Sequence, residues 1–70
     1  MKVLASFDTP RAACTAAGRV ILVDLEEGYQ PLVTWWENTD TGGRIWGHYF
    51  AADQRKEAEA DFLARTQRGY

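Results

Sequence analysis

Cysteine occurs once in this 70-residue chain, at Cys14, so no internal disulfide can staple it. That excludes the framework of a small secreted scaffold and makes a reducing cytoplasm the expected setting. No apolar run approaches the roughly 20 residues of a membrane-spanning helix, so no membrane partner is expected. The segment before Asp8 holds one lysine and few apolar residues, unlike a secretory leader. Histidine also occurs once, at His48, and no HxH or CxxC spacing accompanies it. A structural zinc needs four ligands and a catalytic one about three from the protein, so no metal and no cofactor are expected. A Cys–His catalytic pair requires Cys14 and His48 to meet in space, and nothing around Cys14 reads as a nucleophile's setting. The expectation is therefore no enzyme. Instead Cys14 reads as a small buried apolar residue and His48 as a hydrogen-bonding strand residue. Gly42-Gly43 is followed by no GKS or GKT, which excludes a phosphate-binding loop. Basic charge is not in excess either: 8 Lys and Arg face 10 Asp and Glu, a net charge of −2, against nonspecific nucleic-acid binding. Lysine and asparagine are scarce beside arginine and alanine, a bias that points to a GC-rich coding genome.

What is present is aromatic. Hydrophobic residues make up 46% of the chain, but ten of them are alanine, and nine of the larger ones are Trp, Tyr or Phe. A chain of this length closes one core with little margin, so residues 1–70 are expected as a single compact domain in which the aromatics supply much of the burial.

Met1 to Ser6 reads as an apolar stretch able to add an edge strand. Thr9-Pro10 signals a helix start, Ala12 to Ala17 continue it and Gly18 stops it. Val20 to Leu25 is a β-branched strand, followed by a Glu26-Glu27-Gly28 turn and a second strand from Tyr29 or Gln30 to Glu37. Asn38 to Gly43 is a hairpin loop, and Arg44 to Phe50 the third strand. From about Ala52 to Arg68 runs the main helix, with Asp53 near its start and Arg65 and Arg68 suited to its C-terminal dipole. The expected class is α+β: a three-stranded, or with the N-terminal stretch four-stranded, antiparallel sheet, with a short N-terminal and a longer C-terminal helix packed on one face.

The hairpin carries the anomaly. A symmetric loop pairs Glu37 with Arg44, Trp35 with Trp46 and Val33 with His48. One face then shows Val33, Trp35, Glu37, Arg44, Trp46, His48 and Phe50, and the other Leu32, Thr34, Trp36, Ile45, Gly47 and Tyr49. Both faces are apolar, yet the helices cover only one, and a one-residue slip would exchange the assignments. A partner interface, self-association and complete internal packing all remain open. For an interface, Trp35, Trp46 and His48 are the expected anchor, and Glu37, Asp40 and Arg44 the rim. The remaining carboxylates read as a solvated surface or as groups able to occupy a basic groove on a partner.

The α-β-β-β-α order resembles the double-stranded-RNA-binding fold. In the stretch Asp53-Gln54-Arg55-Lys56-Glu57, only Arg55 and Lys56 fit that fold's phosphate-binding run. A nucleic-acid-binding or regulatory module of a mobile element, using Arg44, Arg55, Lys56, Arg65 and Arg68, is thus the alternative. Val33-Thr34-Trp35-Trp36-Glu37-Asn38, Thr41-Gly42-Gly43, Trp46-Gly47-His48-Tyr49-Phe50 and the Asp61-Phe62 helix look like short accessory proteins of phages. Within them the chain is most similar to phage-encoded anti-CRISPR proteins directed at type I-C systems. That resemblance implies a non-enzymatic inhibitor in the host cytoplasm that binds the RNA-guided surveillance complex (Cascade) and blocks target DNA binding. The implied partner is a basic DNA-binding surface of that complex. No direct nucleic-acid contact is expected, and the inhibitor itself is expected as a monomer or weak homodimer.

Overall fold

The computed structural model describes residues 1–9 and 17–70. Four strands, β1 (Lys2–Thr9), β2 (Gly18–Asp24), β3 (Leu32–Asn38) and β4 (Arg44–Phe50), form an antiparallel sheet in sequential order, followed by one helix, α1 (Arg55–Arg68). The class is α+β, with the N-terminal stretch forming the fourth strand. The helix expected from Pro10 onward falls on residues 10–16, outside the described residues, as does Cys14. Its two boundary residues, Thr9 and Gly18, are described, and both meet Trp36. Thr9 ends β1, and its hydroxyl accepts a hydrogen bond from Trp36 Nε1 at 3.2 Å. Gly18 opens β2, and a Cβ there would stand 2.2 Å from the Trp36 ring, so the glycine makes room for the indole.

A continuous apolar run suits a strand buried on both faces. Accordingly Val20, Ile21, Leu22 and Val23 of β2 are all buried. On the helix side, Leu22, Leu32 and Ala58 form a buried cluster, with Leu4, Ala5, Phe50 and Phe62 packed against it. On the opposite side, Ile21, Val23 and Val33 are buried, with Leu25 and Trp35 against them. Each such aliphatic side chain contributes about 1.5–3 kcal/mol when fully removed from water.

Local chemistry sets the connections. Between β2 and β3, Asp24 Oδ1 accepts the Glu26 backbone N–H, and Glu26 and Gly28 take positive φ. Between β3 and β4, Asn38 Oδ1 accepts the N–H groups of Asp40 and Thr41, and Gly42 has φ 78°. The helix starts later than its sequence suggests. Gln54, not Asp53, is the N-cap residue, and its side chain accepts the Ala51 N–H at 2.8 Å. At the other end Gly69 adopts the left-handed conformation, and its N–H reaches the Arg65 carbonyl.

The β3–β4 register departs from the symmetric hairpin. Glu37 does pair with Arg44 and Trp36 with Ile45, but Thr34 then pairs with His48, Val33 with Tyr49 and Leu32 with Phe50. Trp46 and Gly47 together stand opposite Trp35, a β-bulge with one extra residue. The expected pairings of Trp35 with Trp46 and of Val33 with His48 are therefore not formed. Because side chains alternate with period 2, the bulge moves His48 and Phe50 to the helix side and leaves Tyr49 beside Trp35.

Candidate functional edge

Five of the six expected contact residues separate into three groups, and the sixth, Asp40, stands apart in the hairpin turn. Trp35, Glu37 and Arg44 share the face away from the helix, tied to one another. Glu37 is buried and receives Arg44 Nε at 2.8 Å and Arg19 Nε at 2.7 Å. The Arg44 guanidinium also lies over the Trp35 ring, 5.3 Å from its centroid, and Tyr49 meets that ring edge-on at 6.1 Å. The Arg44 hydrogen bond and the Arg19 partner, working against burial, hold the Glu37 carboxyl below its ordinary value. This carboxylate is engaged by the fold's own arginines.

His48 belongs to a second group, centred on Asp61 of α1. Asp61 receives the Thr34 hydroxyl at 2.5 Å, stands 3.0 Å from His48 Nδ1, and receives Arg65 Nε at 3.3 Å. Burial raises its pKa, but the hydrogen bonds from Thr34 and His48 and the charges of His48 and Arg65 outweigh burial and keep it low. Thr34 is wholly buried, so this Thr–Asp–His constellation gives no substrate access to a hydroxyl nucleophile. It fastens the helix to the centre of the sheet.

Trp46 forms the third group. Its φ is 57°, a left-handed conformation that is uncommon for any residue with a Cβ and an outlier for one this bulky. Holding such a residue costs about 1–3 kcal/mol and persists only where the surroundings over-determine it. Here the restraint is Arg65, whose Nη2 donates to the Trp46 carbonyl oxygen. Arg65, expected from the sequence as a cation for the helix's C-terminal dipole or for nucleic acid, is only 1% exposed. Burial lowers the guanidinium's pKa, and Asp61 opposes that. Its Nη1 is buried without a partner among the described residues.

The indole so placed joins an aromatic row. Trp46 lies 5.8 Å from Trp36 on one side and 5.4 Å from Tyr70 on the other, and Arg68 stands 5.4 Å from the Tyr70 centroid. Trp36 is 7% exposed and belongs to the core, whereas Trp46 is 55% and Tyr70 50% exposed. With Ile45, they make an apolar patch along the open edge of β4. Tyr70 and Arg65 went unforeseen as parts of this edge. Tyr70 lies beyond the helix in sequence, and an arginine in a last helical turn ordinarily faces water.

The cations of the nucleic-acid alternative are mostly engaged. Arg44 is paired with Glu37, Arg55 with Glu59, and Arg65 is buried against Asp61. Among the described residues no group of three or more His, Cys, Asp and Glu is arranged to hold a metal ion. No described helix is long and apolar enough to cross a membrane. Compared with protein-family models, curated proteins and solved structures, the chain shows no match.

Proposed function

We propose that the protein acts without catalysis, by occupying a surface of a protein partner with the edge formed by Ile45, Trp46 and Tyr70. The observation that carries this reading is Trp46: a half-exposed indole kept in a strained conformation by a buried arginine. Strain of that kind concentrates where a side chain must be presented. Tryptophan and tyrosine dominate binding hot spots because they bury a large rigid surface at low entropic cost. Trp35, Glu37 and Arg44 support the edge from behind, and His48 fixes the strand that bears it.

The partner in this proposal is the type I-C surveillance complex, as the resemblance to anti-CRISPR proteins implies, and the outcome is blocked target DNA binding in the host cytoplasm. The engagement of Arg44, Arg55 and Arg65 by carboxylates favours a protein partner over direct nucleic-acid binding. The test is target-DNA binding by a purified type I-C complex in the presence of the wild-type protein or the Trp46→Ala variant. Wild-type protein is expected to abolish DNA binding, and Trp46→Ala to weaken inhibition about 30-fold, a hot-spot loss of about 2 kcal/mol. No association of the wild type at saturating concentration would remove the partner. Equal inhibition by Trp46→Ala would remove the edge.

A further inference from the structure

We propose that Asp61 and Arg65 are positioning residues that select one of two registers available to β4, and thereby decide where Trp46 is displayed. The inference rests on the edge reading for its functional consequence alone; the register itself is a property of the isolated chain.

The argument begins with the sequence of β4. Trp46-Gly47-His48-Tyr49-Phe50 places aromatic residues at both parities, so a one-residue slip still supplies an aromatic ring to the helix-side core. In the bulged register Phe50 stands opposite Leu32 and packs with Leu22 and Ala58. Without the bulge, the pairing set by Glu37–Arg44 and Trp36–Ile45 would continue, and Tyr49 would stand opposite Leu32. Trp46 would then lie beside Trp35 on the face away from the helix, and His48 beside Val33. That alternative relieves the positive φ at Trp46. It lacks any partner for Arg65 at the Trp46 carbonyl and takes His48 away from Asp61.

The two ties therefore discriminate between the registers. Arg65 grips the strand at Trp46, and Asp61 grips it at His48, one on each side of Gly47. Both belong to α1, four residues and one turn apart, so a single rigid element holds the bulge from both ends. β4 is an edge strand, paired on one side only, so slipping breaks one ladder and not two. Gly47 completes the arrangement. A Cβ at that position would stand 2.6 Å from Trp35 Nε1, so only glycine fits beneath the indole in the bulged form.

The test reads register directly, by cross-strand backbone contacts in NMR spectra of the isolated protein. In the wild type the expected contact is Thr34 with His48. In Arg65→Met and in Asp61→Asn/Arg65→Met it is expected to shift to Val33 with His48, with Trp46 moving next to Trp35; Arg65→Lys should restore the wild-type contact in part. Retention of the Thr34–His48 contact in the double variant would overturn the proposal.

Deleting Trp46 removes the extra residue, so the ladder becomes regular with His48 still opposite Thr34 and nothing left for Arg65 to hold at that carbonyl. If Arg65→Met unfolds the full chain, it should be tolerated in the deletion background. Unfolding in both backgrounds would show a purely structural arginine and overturn the inference. A wild type that binds no surveillance complex but passes the register test removes only the proposed function.

Discussion

The two edge strands each carry one bulge, and the bulges act in opposite directions. In β1 the register shifts between Val3 and Ala5, and both Leu4 and Ala5 pack toward the helix-side cluster. In β4 the shift falls between the partners of Thr34 and Trp36, and it sends Trp46 to a half-exposed edge. Burial of apolar surface holds the first bulge. The second is held by a charged side chain that is itself buried and braced by Asp61. A bulge by itself re-aims a strand; whether it hides or presents a residue depends on what grips it. Edges are commonly blunted against unwanted pairing in this way, and β4 adds an aromatic patch to the blunted edge.

The comparison breaks most visibly at Arg65. Replacement by methionine removes the tie to the Trp46 carbonyl and leaves Asp61 short of a cation, so unfolding free energy should fall by about 3 kcal/mol, measured by urea denaturation. Gly47→Ala should lower it by about 2 kcal/mol, because the added methyl displaces the Trp35 indole and the bulge with it. Leu4→Ala, the equivalent probe of the β1 bulge, should cost only about 1 kcal/mol: the side chain is half-buried and lines an open groove of about 300 Å³ with Phe62 and Leu63. It should leave the Trp46 environment unchanged by indole fluorescence.

The smallest of these effects is a pH dependence. Glu37 and Asp61 both have carboxyls held below their ordinary values, 4.5 and 3.8. Their contribution is complete above those values and is lost as pH falls through the lowered ones, so the melting temperature should decline on the acid side below about pH 4. Asp61→Asn should flatten that decline by removing the helix clamp's share, and Glu37→Gln by removing the share from the start of the hairpin. An unchanged acid limb in both variants would show that neither carboxylate is coupled to folding.

Much of the fold is legible in the sequence. The β4 boundaries, the hairpin loop and the pairing of Glu37 with Arg44 follow from local signals: β-branched and aromatic runs, the Asn38 and Gly42 turn chemistry, and opposite charges across a hairpin. Thr9 and Gly18 show how residue types that cap and stop helices can also serve a tryptophan. A hydroxyl can accept an indole N–H, and a missing Cβ makes room for an indole ring. Of the expected contact residues, Asp40, Arg44, Trp46 and His48 are exposed. Trp35, Glu37, Arg44 and His48 are tied into side-chain networks that strand alternation cannot foresee past a bulge.

The sequence by itself determined that this chain builds one small α+β sheet around an aromatic hairpin, because hydrophobic periodicity and turn residues act over a few positions. Only the tertiary structure decided which tryptophan is buried and which is shown. That choice depends on one extra residue in β4, and on Arg65, 19 positions away from Trp46 in the chain, reaching back to hold it. A strained backbone angle is stable only when distant parts of the chain converge on it, and no local pattern records that convergence.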